Sequence, residues 1–381
     1  MNQRQTILIV SCTVLALCGC GPKRQAGGVM DDAQVHAQRG KQYIESRDLV
    51  RARDEFRLAL ELNAKYPAAL AGLAIVEARE GHFDEATKKA DAAVSASRDV
   101  PDGFVARAIV IAESNRAKDS DEWLSSAEDE FEKALKRGEK NPETWLRRAQ
   151  VRQMALHLKE AGEAYRKVLE IDGAFTEAAN TGWARLQKIE RAGPVTKVGK
   201  RIALADTLTR ADAAVLYIAE LQLDRILART RGEKADTAFR APDDPRNVKS
   251  TDSAKAVAPD VAGHWAKNFI QDAVKLGMRG LQVGADGNFR PSQSLNRAEF
   301  ALLAEDALMA ALGDKTLATR YIGSPPRFSD VSAGSPYFNA ICDAVDHNVM
   351  NPNGDGSFGA LAPVSGADAL LTIRLIKDLR K

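Results

Sequence analysis

The chain has 381 residues, of which 45% are hydrophobic and 28% charged, a balance ordinary for soluble globular protein and a length that fits two domains. Its net charge of +2 supplies no global field to recruit nucleic acid, and no basic stretch is interleaved with its aromatic residues. Nucleic acid is therefore not the expected partner.

The N-terminus comes first. "MNQR" carries Arg4, and "TILIVSCTVLAL" is apolar but shorter than the ~20 residues a spanning helix needs. A charged start, a short apolar stretch and small residues describe a secretory signal. The segment ends in "LCGCG", Leu17 to Gly21, and its Leu-x-Gly-Cys pattern resembles the lipobox of bacterial lipoproteins. That resemblance implies a signal peptide over 1–19, lipid on Cys20, and a leash over 20–34 that holds the chain to a membrane. Cys18 is an unusual residue before the cleavage point, and the alternative is an ordinary signal peptide cut nearby. Gly21 fits sorting to the outer membrane, so the expected location is the cell envelope, lipid-anchored and facing the periplasm. From Gly21 to Ala33 the leash spans at most ~45 Å. With Cys12 and Cys18 lost and Cys20 modified, Cys342 remains alone and reads as a buried core thiol.

The first half repeats itself. "ARDEFRLAL", "ATKKADAAV", "AEDEFEKAL" and "AGEAYRKVL" begin at Ala52, Ala86, Ala127 and Ala161, at spacings of 34, 41 and 34 residues. Phe56, Ala90, Phe131 and Tyr165 follow four residues later, and Ala59, Ala93, Ala134 and Val168 three after that, which puts each set on one helical face. An upstream helix carries His36, Leu70, Phe104 and Trp145, followed four residues later by Gly40, Ala74, Ala108 and Ala149. The extra residues of the third unit fall between its two helices, around "NRAKDSDEW". Four such helix pairs resemble the tetratricopeptide repeat, although Glu77 and Arg152 stand where that family prefers an aromatic. The resemblance implies an α-solenoid over 35–190 that binds a protein or peptide, with "FTEAANTGWARLQKIERAG" as its capping helix.

The second half also repeats. A polar linker over 229–257 precedes "DVAGHWAKNFIQDAVKLG" at Asp260, which returns as "DVSAGSPYFNAICDAVDHN" at Asp330. Asp286, Gly287 and Phe289 return as Asp355, Gly356 and Phe358, 69 residues later. With "NRAE" opening a second helix, these features resemble the S-layer homology module, closely over 258–312 and less so over 326–381, where "SPY" replaces "HWA". "LTRADAAVLYIAE" marks a partial copy within 191–228, whose first helix is the same segment read above as the cap. The expected fold is thus mainly α: a tetratricopeptide solenoid followed by a helical S-layer homology domain with a pseudo-threefold arrangement. The family implies binding to peptidoglycan or a cell-wall polymer linked to it.

Thr209 and Asp212, Asn296 and Glu299, and Ser365 and Asp368 each have the spacing of a capping box. Arg210 and Arg297 follow the first two caps, where a helix start needs no cation, and Gly366 follows the third. An arginine fork suits a glycan carboxylate, so both are candidate ligand contacts; the alternative is a salt bridge or a solvated side chain. Trp265 fits either stacking on a sugar or the core. Asp286 and Asp355 lie in Gly-rich turns without the final acid of a calcium loop, so no metal is expected. No cofactor is expected either, and no catalytic constellation marks an enzyme. The leading expectation is a membrane-anchored lipoprotein that grips cell-wall glycan and recruits a protein partner. The alternative is a docking or pilotin-like assembly factor for an envelope secretion or pilus machine.

Overall fold

A computed structural model describes residues 31–118, 120–171, 173–230 and 258–380. The expected signal peptide, Cys20 and most of the leash lie outside the described residues, as does nearly all of the expected linker. The chain divides into two compact units, 1–178 and 179–381.

The first unit is four helix pairs. They are α1 (Ala33–Glu45) with α2 (Leu49–Leu62), α3 (Pro67–Arg79) with α4 (Phe83–Ala96), α5 (Asp102–Asn115) with α6 (Trp123–Leu135), and α7 (Pro142–Met154) with α8 (Leu158–Ile171). Local chemistry starts these helices. The carboxylates of Asp32 and Asp48 accept the N–H groups of Gln34 and Arg51, and Pro67 and Pro142 stand at first helical positions. The repeated positions are the core: Ala52, Phe56 and Ala59, and their counterparts in α4, α6 and α8, are all buried. Phe56 lies where two small residues leave room, since a Cβ at Gly40 or Gly72 would run into its ring. Residues 116–122, which include the third unit's extra length, connect α5 to α6.

The first helices of successive pairs, α1, α3, α5 and α7, pack in series, and their facing side chains pair with one another. Lys41 of α1 reaches Asp102 of α5 at 2.8 Å and Glu143 of α7 at 2.6 Å. Arg147 of α7 is fully buried and pairs with Glu45 of α1. Gln150 joins the network, bonding both Arg147 and Glu45. A solenoid inner face normally presents such residues to a ligand; here they are bonded to each other across the slot.

The second unit contains α9 (Thr176–Ala192), α10 (Lys197–Ala203), α11 (Arg210–Val215), α12 (Leu223–Thr230), α13 (Lys267–Leu276), α14 (Arg297–Leu312), α15 (Phe338–Asp346) and α16 (Gly366–Asp378). The first three residues of α9 precede the unit boundary; Lys188, farther along it, bonds Asp368, and Arg185 bonds Asp206. α11 runs on into a π-helical turn, Leu216–Glu220. Glu220 is buried there and accepts the N–H groups of Val195 and Thr196, each at 2.9 Å, so it fixes the start of α10.

Helices α11, α14 and α16 begin around a common centre. The apolar residue before each cap is buried: Leu208, Leu295 and Val364. Leu208 N–H donates to the Val364 carbonyl (2.7 Å), Leu295 N–H to Leu208 (2.9 Å), and Val364 N–H to Leu295 (3.3 Å). The three bonds close a ring. Three segments of the second unit thus each contribute one extended residue to a pseudo-threefold centre, and three buried backbone N–H groups are satisfied without a sheet.

Candidate ligand site at the module junctions

The caps orient the site. Thr209 Oγ1 accepts Asp212 N–H at 3.1 Å while Asp212 accepts Thr209 N–H at 3.1 Å. Asn296 and Glu299 exchange the same two bonds, each at 2.9 Å. Ser365 Oγ accepts Asp368 N–H at 3.1 Å and donates its hydroxyl to Asp368 Oδ2 at 2.6 Å. These bonds fix the backbone of the next residue, and the first two caps thereby aim Arg210 and Arg297 at the Phe289 and Phe358 turns.

At the first junction, Arg210 Nε donates to the Phe289 carbonyl and Nη2 to the Gln282 carbonyl, both at 2.8 Å, and Nη1 donates to Gly280. Its guanidinium lies 4.7 Å from the Phe289 ring centre. At the second, Arg297 Nε donates to the Phe358 carbonyl at 2.9 Å and Nη2 to Asn351 at 2.6 Å, with the guanidinium 4.5 Å from the Phe358 ring centre. The other side of each phenylalanine peptide is held within its own module. Asp260 accepts Phe289 N–H at 3.0 Å, and Asp330 accepts Phe358 N–H at 2.7 Å. Burial works against the charge on both aspartates, but these amide bonds outweigh it and hold the carboxyls below their usual range.

Each arginine is therefore a clamp between modules. Neither forms a direct ion pair with a carboxylate among the described residues, and burial pulls both below the ordinary arginine range. Glu299 and Asp260 near Arg210, and Asp368 and Asp330 near Arg297, oppose that pull electrostatically. Neither sequence alternative, a salt bridge or a solvated side chain, describes what these residues do.

The third junction is different. Gly366 N–H donates to the Ala205 carbonyl at 2.9 Å, and a Cβ on Gly366 would overlap the Ile202 carbonyl. The backbone of α10 fills the place an arginine would need. Nothing in the sequence motif pointed to α10.

Trp265 is 50% exposed, with its ring 5.7 Å from that of His264. It stands at the surface, five residues beyond the Asp260 that holds the Phe289 turn. Asp286 and Asp355 bond within their own turns, to Asn288 and Arg290 and to Ser357. Cys342 is buried, and burial raises its thiol pKa. Glu77, Glu80 and His82 come close enough to suggest metal ligands, but Arg53 already lies among them, ion-paired with both glutamates.

Residues 259–301 and 327–370 match the S-layer homology domain. The second unit carries an S-layer homology domain. The two matched segments contain both Asp–Phe turns, α13 and α15, and the starts of α14 and α16. The domain implies cell-wall glycan binding and association with the cell envelope. Among solved structures, a thermophilic TPR protein of Thermus thermophilus is similar at 19% identity and a TM-score of 0.35, over 52% of this chain and 96% of that one. No curated protein matches the chain. No helix among the described residues is long and apolar enough to cross a membrane.

Proposed function

We propose that this protein is a cell-envelope lipoprotein that ties a membrane to the wall. Lipid on Cys20 holds one end, the second unit binds peptidoglycan or an anionic polymer linked to it, and the helical repeats recruit a protein partner. In this reading, modules over 191–228, 258–312 and 326–381 form the glycan-binding domain. The solenoid over 35–190 ends in α9, which also serves the first module. One observation carries the glycan reading: two arginines stand at module junctions, oriented by backbone carbonyls and without a direct carboxylate partner. Each is a fixed cation beside a helix start, and both features favour an anionic group. Trp265 adds an exposed ring suited to a sugar face. The third junction, closed by Gly366, completes the domain without a ligand of its own.

Retention of the full chain on purified sacculi tests this. Arg297→Lys keeps the charge and loses the fork, so it should weaken retention. Trp265→Ala should weaken it without touching the clamps. A chain that sediments without sacculi present equally well, or variants that bind as the parent does, would remove the glycan assignment. Labelled fatty acid taken up by a Cys20→Ala protein would remove the lipid assignment. For the repeats, crosslinking in cells should yield a protein partner.

A further inference from the structure

Two acids are buried side by side where α14 meets α15. Glu305 is 1% exposed and Asp343 is fully buried. Asn339 brings them together, donating its side-chain amide to Glu305, to Asp343 at 3.3 Å and to the Leu317 carbonyl at 2.7 Å. The Asn339 oxygen is taken by Tyr321 N–H at 2.7 Å, so the amide cannot turn to serve the acids differently. Among the described residues Asp343 Oδ1 has no hydrogen-bond donor, and the cation beside it is Arg320 at 3.8 Å.

Several charged and titratable groups face the pair. From the segment before α14 comes Arg279, which pairs with both Glu305 and Asp306. From α15 come Asp346 and the following His347, whose ring nitrogen contacts the Asp343 carbonyl at 2.8 Å. Arg320 follows the 3-10 turn Lys315–Thr319, and the buried Tyr217 faces Asp306. Arg279 is shared between Glu305 and Asp306, and Arg320, 3.8 Å from Asp343 Oδ1, is the cation beside Asp343. Glu305 takes the close ion pair with Arg279, while Asp343 is buried with one oxygen lacking a donor and only the more distant Arg320 to offset its charge, so ionising Asp343 beside Glu305 is costly.

We propose that Asp343 keeps a proton beside the buried Glu305 carboxyl where α14 meets α15, and that loss of this proton loosens the packing of α15 as a pH-sensitive latch. The same helix carries both contacts: Arg297 at the start of α14 clamps the Phe358 turn, and Glu305, farther along, meets α15. Burial, then the neighbouring Glu305, raises Asp343 to about 7. A carboxyl raised in the folded state keeps a proton that the unfolded chain releases. Its contribution is complete below the ordinary carboxylate range and disappears as pH rises toward 7. The inference is independent of glycan binding.

Hydrogen exchange of the full chain, corrected for the intrinsic rate, reads the latch at the α15 amides. Protection should fall by up to about tenfold per pH unit between roughly pH 5 and 7 and level off above. Asp343→Asn removes the titrating carboxyl and should abolish the slope, whereas Glu305→Gln leaves Asp343 buried and should narrow the pH range of the slope, with His347 in place in both variants. Flat protection in the parent chain overturns the proposal. So does an unchanged slope in Glu305→Gln, which retains the size and hydrogen-bonding capacity of the side chain if Asp343→Asn does not fold.

Discussion

Arg297 holds Phe358 twice: Nε donates to its carbonyl at 2.9 Å, and the guanidinium lies 4.5 Å from its ring centre. Arg210 holds Phe289 the same way. A residue proposed above as a ligand contact holds the domain together, so an effect of its substitution on folding must be separated from any effect on retention. Charged hydrogen bonds are worth about 1.5–3 kcal/mol each, and a half-buried cation–aromatic contact adds ~1. Arg297→Ala should therefore destabilise the junction by about 3 kcal/mol, read as lost exchange protection at the 351–360 amides. Arg297→Lys should fall between, since an ammonium cannot reproduce the fork. If Arg297→Ala leaves that protection unchanged, the clamp carries no energy and the residue serves the ligand alone.

Gly366 makes the complementary case. Sequence symmetry suggests that an arginine there would complete a third clamp. The structure predicts the reverse, because even a Cβ meets the Ile202 backbone, which cannot step aside as a side chain would. Gly366→Ala should cost more than about 4 kcal/mol, in the range reserved for severe steric conflict. Gly287→Ala is the control: φ is +81° but nothing lies near the new Cβ, so only the left-handed penalty of ~1–2 kcal/mol applies. Equal unfolding midpoints for the two variants would contradict the packing at the third junction.

The helix pairs and the doubled module were legible because both leave periodic marks. Alanine at helix contacts recurs every 34 or 41 residues, and Asp, Gly and Phe recur at 69. The capping pairs were legible for the same reason, since each is a local bond between residues three apart. What Arg210 and Arg297 touch was not legible. Their partners are backbone carbonyls 54 to 79 residues away, and a carbonyl has no residue type to betray it. Asp260 and Asp330 were visible as repeated letters, but their role on a distant turn amide was hidden likewise. Nothing in the sequence marks Lys41 and Glu143, 102 residues apart, as partners.

His36 gives the first unit a titration of its own. Its ring is buried, with Nδ1 2.6 Å from Glu55 and Nε2 2.9 Å from Asp31. Burial alone would lower its pKa; the two carboxylates outweigh burial and raise it above the usual histidine value. A base raised in the folded state stabilises fully below its unfolded pKa, and that contribution is lost as pH rises through the folded one. The stability of the first unit should thus decline through and above the neutral range, and His36→Gln should flatten the decline. An NMR titration of the His36 ring checks the direction: a midpoint below that of a free imidazole would reverse the sign and exclude the explanation.

Glu143 sets the opposite slope. Burial opposes its charge, but Lys41 at 2.6 Å and Arg147 overcome that penalty and hold the carboxyl below its usual range. An acid lowered in the folded state contributes stability above its unfolded pKa, and that stability is lost as pH falls through the folded value. The first unit should therefore weaken on strong acidification as Glu143 takes up a proton. Glu143→Gln imposes the same loss at neutral pH, because among the described carboxylates Lys41 is left with Asp102 and Arg147 with Glu45. Removing one member of a buried charge group costs about 3–5 kcal/mol, whereas replacing the pair with apolar side chains is often close to neutral. Lys41→Met combined with Glu143→Leu should accordingly recover much of what Glu143→Gln loses, measured by urea unfolding of the first-unit transition. The same double variant removes one of the two ion pairs that bridge α1 and α7 and leaves Arg147–Glu45. If those ion pairs are what keep the inner slot shut, crosslinking to a protein partner should increase in the double variant relative to the parent. A double variant as unstable as Glu143→Gln would instead show that the network's geometry, and not its charge balance, holds the first and fourth repeats together.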